Sequence, residues 1–189
     1  MRIVLIFLAL VPFALMSAIF LDGWEMAWFE SLRVSLEAAF GFSFPHPSHR
    51  LYYLSKLAGL SSLWLFVAAF WITPLRTFVR FDFVPFKKLL GGFAVGYAFL
   101  HLGLFFASHG FSPALLSRLS VTHPFLIAGM AALVVLALAP WIKAWYRLIY
   151  LGIVLIIIHL LTGYRVLGLE HILAISLLTT ALALRLVKR

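Results

Sequence analysis

The sequence contains no cysteine and few charged residues, and both absences restrict what the chain can be. Of its 189 residues none is Cys, and only 11% are Asp, Glu, Lys or Arg. Without thiolates the chain forms no disulfide and offers no cysteine ligand to zinc or to an iron–sulfur cluster. A soluble domain of this length needs more polar surface, because its outside meets water. The mean hydropathy of +1.10 therefore predicts a membrane protein, whose outer face contacts membrane lipid.

Acidic residues are the scarcer charge, with six Asp and Glu against 15 Lys and Arg and a net charge of +9. The basic residues fall between apolar stretches, where they orient membrane proteins, so nucleic acid is not an expected partner. Their distribution predicts a multi-pass protein of the bacterial inner membrane with both termini in the cytoplasm. The residues expected on the cytoplasmic side are Arg2, Arg76, Arg80, Lys87, Lys88, Lys143, Arg147, Arg185, Lys188 and Arg189. Those expected on the other side are Arg33, Arg50, Lys56, Arg118 and Arg165.

Six apolar stretches dominate the chain, at 3–21, 54–72, 89–106, 124–141, 148–161 and 171–184. About 20 residues of helix cross a membrane, so the fold is predicted to be all-α, a bundle of six transmembrane helices in one transmembrane domain over 1–189. The first stretch is longer than a signal-peptide core, and we interpret it as a retained anchor.

The segment 23–50 is too polar to cross the membrane. Its aromatic residues, such as Trp24 and Trp28, alternate with charged ones such as Glu25 and Arg33. This mixture predicts an extra helix in the extracytoplasmic interface. Such a helix serves either as an aromatic belt or as a docking surface for an extracytoplasmic partner.

Two histidines lie deep in predicted helices, where an ionisable side chain is costly and indicates a function. His101 follows Lys88 by 13 residues, and His159 follows Arg147 by 12. At 1.5 Å per residue both imidazoles rise about 18–20 Å from the same membrane surface. Two facing histidines at one depth can ligate a single haem iron, an arrangement suited to electron transfer. For each histidine alone, a hydrogen-bonded helix contact is the simpler interpretation.

Small residues near these histidines are expected to make room for a cofactor. Gly152 precedes His159 by seven residues and shares its helix face, so it is expected to clear space for a porphyrin edge. Gly92, Gly96 and Gly103 lie on the face opposite His101 and predict a close helix–helix contact. His109, eight residues after His101, is placed near the outer end of the same helix. It either bonds a haem propionate or faces solvent.

Four motifs occur in the middle of the chain: Thr73-Pro74-Leu75-Arg76, the run KKLLGGFAVGYAFLH at 87–101, Thr122-His123-Pro124-Phe125, and Ile149-Tyr150-Leu151 followed by His159. Together they resemble the ferric-reductase-like transmembrane family, and the resemblance covers about 59–159. The resemblance is closest to the haem-binding membrane subunit of the periplasmic methionine sulfoxide reductase system, the MsrQ type. It implies that His101 is the third-helix haem ligand and that His159 is the outer histidine of the fifth helix.

The chain also departs from this family pattern. Tyr146 stands where the family has a haem-ligating histidine at the start of the fifth helix, and Lys56 stands where the family often has a histidine. The resemblance implies electron delivery from the quinone pool or a flavin to an extracytoplasmic acceptor, which in the family is a methionine sulfoxide reductase.

Two hypotheses follow. The first is a b-type haem subunit of an oxidoreductase, with one haem b held by His101 and His159 as metal ligands and with FMN as a further cofactor. In that hypothesis Lys87, Lys88, Lys143 and Arg147 bind anionic lipid or a flavin phosphate, although positive-inside anchoring explains them equally well. The alternative is a cofactor-free structural or assembly subunit of a larger membrane complex, favoured by Tyr146 and by the enlarged segment 23–50. The sequence contains neither the broken-helix signature of a transporter nor the motifs of a hydrolase.

Overall fold

Helices account for all the regular structure in the part of the chain that the computed structural model describes. The described residues are 2–21, 34–35, 37–39, 49–76, 84–112, 117, 124–139, 147–163 and 167–187, and no strand occurs among them. Each predicted apolar stretch has a helix. In chain order these are α1 (Arg2–Leu21), α2 (Arg50–Leu75), α3 (Val84–Ser108), α4 (Pro124–Leu138), α5 (Ile149–Gly163) and α6 (Leu169–Val187). The all-α prediction is confirmed for the described ranges.

Four of these helices, α1, α2, α3 and α6, are long and apolar enough to cross a membrane. The other two, α4 and α5, have 15 residues each. At 1.5 Å per residue that is about 22 Å, less than a hydrocarbon core of about 30 Å. Length and composition therefore support the prediction of membrane-spanning helices for four of the six.

The second helix, α2, lies at the centre of the molecule. Of its most apolar window 44% is buried, against 17% for α1 and 22% for α6. One buried cluster joins α2 to α3, α5 and α6 through residues such as Phe66, Phe70, Ala94 and Leu178. A second cluster joins α1, α2 and α3. The most extensive pairings are α2 with α3 and α4 with α5, so the chain forms two helical hairpins around this centre.

Polar bonds attach the outer helices to this centre. The Trp71 indole donates to the Leu177 carbonyl at 3.0 Å, which joins α2 to α6. The guanidinium of Arg185 lies 3.6 Å from the centre of the Phe70 ring and donates to the Phe70 carbonyl. The outward faces carry large apolar side chains, as on α1, where Ile3 and Phe7 are each 69% exposed. Such faces suit contact with lipid.

The glycine face of α3 differs from the prediction. A Cβ atom built at Gly92, Gly96 or Gly103 would meet nothing within 4 Å among the described residues. The predicted close helix–helix contact is therefore wrong for the described helices of this chain. Ala94, on the opposite side of α3, is buried in the cluster with α2, α5 and α6, whereas α1 contacts α3 through Tyr97 and leaves a groove along Gly92 and Gly96.

Part of what the sequence predicts lies outside the described residues. This holds for most of the segment 23–50, of which 34–35, 37–39 and 49–50 are described and helical or in a helical turn. It also holds for Thr122, His123, Lys143 and Tyr146.

Candidate functional site

His101 projects from α3 toward α2 and is fixed there by Ser55. Its Nδ1 lies 2.7 Å from the Ser55 carbonyl oxygen. In return, the Ser55 hydroxyl donates to the His101 carbonyl at 3.1 Å and also lies 3.1 Å from Nδ1. Ser55 is only 2% exposed, so these bonds are shielded from solvent. They hold the His101 ring at the level of Ser55 on the neighbouring helix α2.

His159 is held in the same way by the other hairpin. It projects from α5 toward α4, where its Nδ1 lies 2.7 Å from the Phe125 carbonyl oxygen. The Phe125 ring lies against the imidazole at a centroid distance of 5.9 Å. Each histidine therefore comes from the second helix of a hairpin and bonds to a carbonyl on the first.

These two bonds determine where the proton of each imidazole resides. A carbonyl oxygen only accepts hydrogen bonds, so Nδ1 must carry the hydrogen that it donates. In a neutral ring the other nitrogen, Nε2, then has a free lone pair. Histidines that ligate metals usually donate their other N–H to a carbonyl or carboxylate in this way, which fixes the ring orientation and makes the ligand more basic.

The two rings are close neighbours across the gap between the hairpins, in an edge-to-face arrangement. Their centroids are 6.4 Å apart and their planes are inclined at 77°. A metal–imidazole bond is about 2 Å long, so two rings that bind one ion from opposite sides have centroids roughly 6 Å apart. The inclination presents no obstacle, because each imidazole can take any rotation about its own metal–nitrogen bond. The separation thus matches a shared metal ion.

Two glycines that sequence reasoning missed make this placement possible. A Cβ atom at Gly59 would lie 3.0 Å from His101 Nδ1, and one at Gly129 would lie 2.7 Å from His159 Nδ1. Each glycine follows the bonded carbonyl by four residues, Ser55 and Phe125 respectively, so carbonyl and glycine lie on one helix face. The sequence signal that could have identified these two residues is a glycine on the preceding helix at the level expected for the histidine.

A cavity of about 540 Å³ surrounds the two imidazoles and lies between α2, α3, α4 and α5. Cofactor sites commonly have volumes of about 300–1,000 Å³ and mostly apolar walls. One end is apolar, with Phe66, Ala94 and Leu136. The opposite end is polar and includes Tyr52, Lys56, His109 and His171.

Lys56 brings a positive charge to the polar end of the cavity. The Lys56 ammonium lies 5.5 Å from the centre of the Tyr52 ring. His171, which is 8% exposed, has its Nδ1 3.2 Å from a carboxylate oxygen of Glu170. Sequence reasoning did not place His171 in the site, because it begins a predicted helix far along the chain from His101.

The two remaining residues of the predicted site lie in different surroundings. His109 lines the cavity and is half-buried, and its Nδ1 lies 2.8 Å from the Phe105 carbonyl oxygen. Gly152 lies at the contact between α4 and α5 instead. A Cβ atom there would be 2.9 Å from Leu136 Cδ2 and 3.4 Å from Val135 Cγ1. The space expected from Gly152 is therefore used for helix packing, and Gly59 and Gly129 provide the space beside the imidazoles.

The donor set suits a haem better than a bare metal ion. Among the described residues no group of three or more His, Asp or Glu could hold a metal ion. Protein sites for zinc or non-haem iron use at least three side-chain ligands. A porphyrin supplies four nitrogens itself and needs only one or two axial ligands from the protein. His101 and His159 are two imidazoles at a separation that would suit this role.

Comparison of this chain with protein-family models, with curated proteins and with solved structures finds no match. The resemblance to the ferric-reductase-like family therefore stays a prediction from the motifs of the sequence.

Proposed function

We propose that this chain is a six-span membrane protein that carries electrons through one b-type haem, with His101 and His159 as the axial ligands. The observation that carries the proposal is the pair of imidazoles 6.4 Å apart. Each ring is oriented by a 2.7 Å hydrogen bond that leaves Nε2 free for the metal.

The chemistry follows from the number of ligands. His101 and His159 would hold the iron of a haem, and a haem held by two imidazoles would supply single-electron transfer rather than oxygen binding. The protein contributes the rest. Ser55 and Phe125 hold the rings, the apolar end of the cavity excludes water, and the polar end offers the Lys56 ammonium and hydrogen-bond donors. The porphyrin carboxylates match the charge at Lys56.

The direction of electron flow follows the proposed topology. With six spans and both termini in the cytoplasm, the Lys56 end of the cavity faces the extracytoplasmic side. Electrons come from a quinol or from a flavin such as FMN and pass to an extracytoplasmic acceptor of the methionine sulfoxide reductase type. The chain is thus the membrane subunit of an oxidoreductase in the bacterial inner membrane.

The alternative proposal is a cofactor-free structural or assembly subunit. Its specific support is that the Nδ1–H groups of His101 and His159 already join two helices within each hairpin. In that case the histidines stabilise the fold and the cavity holds lipid or water.

An absorption spectrum of the purified full chain distinguishes the two. For the haem subunit we expect a reduced b-type spectrum with about one haem per chain, as two axial ligands require. His101→Ala and His159→Ala should each abolish the bis-imidazole signature. His49→Ala is the matched control, because His49 is exposed and lies outside the cavity, and it should keep the parent spectrum. A folded but colourless parent protein would contradict the haem proposal and support the structural one.

A further inference from the structure

A second concave region lies on the lipid side of the molecule, away from the histidines. It is a groove of about 570 Å³ between α1 and α3. Leu10, Phe13 and Phe93 form its walls, Gly92 and Gly96 lie along it, and Lys88 stands at one end. The Tyr97 hydroxyl donates to the Ala9 carbonyl at 2.7 Å and fixes α1 against α3 beside the groove.

The dimensions of the groove match one acyl chain. It extends along α3 from Lys88 to Leu100, which is a rise of about 18 Å. One leaflet of the hydrocarbon core is about 15 Å thick. The groove therefore runs from the headgroup level, where Lys88 is exposed, to the middle of the bilayer. The missing side chains of Gly92 and Gly96 leave the space for the chain.

The charge at the end of the groove selects the headgroup. Lys88 is exposed at the level where a lipid chain meets its phosphate. Arg2, also exposed, begins α1 at the same end of the molecule, because α1 and α3 run parallel and Ala9 pairs with Tyr97. Basic sites between helices at a membrane surface bind anionic headgroups.

A second copy of the chain fits this groove less well. A symmetric dimer with parallel helices that cross at Gly92 and Gly96 would bring the two Lys88 side chains together, since Lys88 lies one helical turn from Gly92 on the same face. Like charges in such proximity repel each other. We propose that the groove binds one anionic phospholipid from the leaflet on the Lys88 side, with an acyl chain along Gly92 and Gly96 and the phosphate at Lys88.

The test is native mass spectrometry of the full chain in detergent, with added phosphatidylglycerol or phosphatidylcholine of identical acyl chains. We expect the parent protein to retain phosphatidylglycerol preferentially. Lys88→Gln should lower that retention about fivefold, the effect of one surface cation on an anionic lipid. Gly96→Leu should abolish the retention by filling the groove. The matched controls are Arg76→Gln, an exposed cation elsewhere, and Gly103→Leu, where a Cβ likewise meets nothing described within 4 Å.

Two results would overturn the proposal. One is equal retention of phosphatidylglycerol and phosphatidylcholine by the parent protein, with the same retention in Lys88→Gln. The other is a dimer mass in the parent that Gly96→Leu abolishes, since a second copy would then fill the groove. The helical circular dichroism of each variant shows whether it is folded. The absorption spectrum should match that of the parent throughout, so this outcome is independent of the haem proposal.

Discussion

Each imidazole of the candidate site rests against a glycine of the neighbouring helix, and the space there is tight at both positions. The nearest ring atom would lie 2.7 Å from a Cβ at Gly129 and 3.0 Å from a Cβ at Gly59. A methyl group at either position must displace a ring that is held by a 2.7 Å hydrogen bond. The position of each ring and its hydrogen bond are therefore coupled, and a change at one glycine should move the Nε2 atom that is proposed to bind iron.

We predict that Gly129→Ala weakens haem binding more than Gly59→Ala does. Overpacking of this kind costs about 1–3 kcal/mol, so the haem dissociation constant should rise about tenfold for Gly129→Ala, and less for Gly59→Ala. The measurement is a haem titration of the apoprotein followed by absorption. Gly103→Ala is the control, since its added Cβ meets nothing described within 4 Å. Equal affinity in all three variants would contradict the role given to the glycines.

Counting residues along the sequence predicted that His101 and His159 lie at similar levels on their helices. It did not predict which residues of the neighbouring helices contact them. Counting residues from Lys88 and Arg147 gives similar depths for His101 and His159, and the structure brings the two rings together. Counting along one helix gives no information on what a neighbouring helix presents at that height. For this reason Gly152, on the same helix as His159, was expected to make room beside that histidine, although Gly129 on α4 is the glycine that lies against its ring.

At the scale of elements, the two hairpins α2–α3 and α4–α5 are built alike. In each, the second helix carries the histidine and the first carries the accepting carbonyl with a glycine four residues later. The similarity of the two hairpins does not produce a sequence repeat, because the first helix contributes only a backbone carbonyl and a glycine to the arrangement. Ser55 and Phe125 play the same part with unrelated side chains.

The contact between α4 and α5 depends on Gly152, and we predict that Gly152→Val destabilises the protein without loss of haem. The new side chain overlaps Leu136, at a cost of about 1–3 kcal/mol, or a melting temperature lower by roughly 2–12 °C. Thermal unfolding in detergent measures this. Leu136→Ala in the same chain should restore part of the loss, because the two residues are in contact.

The control for that comparison is Gly91→Val, since a Cβ at Gly91 meets nothing within 4 Å among the described residues. A loss of haem in Gly152→Val that Leu136→Ala does not restore would instead support the original interpretation, in which Gly152 borders the porphyrin.

At the scale of the whole molecule, hydropathy predicted the elements and left their arrangement open. Six apolar stretches became six helices, because the helix satisfies its own backbone polar groups in lipid. The central position of α2 was not predictable. Its buried face includes Phe66 and Phe70, but the side chains on its exposed face are also largely apolar, so no periodicity marks the buried one. In a membrane protein both lipid and core select apolar residues.

The number of membrane crossings depends on whether α4 and α5 cross. The location of the termini does not test this number, because four and six crossings both place the two termini on the same side of the membrane. The connection between these helices does test it. If α4 and α5 both cross, Arg147 lies on the opposite side of the membrane from Ser112, and on the same side as Arg76. If neither crosses, Arg147 and Ser112 lie on one side.

We predict six crossings, and the absence of native cysteine permits a direct measurement. Arg76→Cys, Ser112→Cys and Arg147→Cys are each introduced singly and labelled with a membrane-impermeant maleimide in intact spheroplasts and in inverted vesicles. Only Ser112→Cys should react in spheroplasts, and only Arg76→Cys and Arg147→Cys in inverted vesicles, because the greater number of basic residues stays in the cytoplasm. The unaltered chain is the control for background labelling. Reaction of Arg147→Cys in spheroplasts would reduce the crossings to four and place the α4–α5 hairpin, with His159, outside the group of helices that span the bilayer.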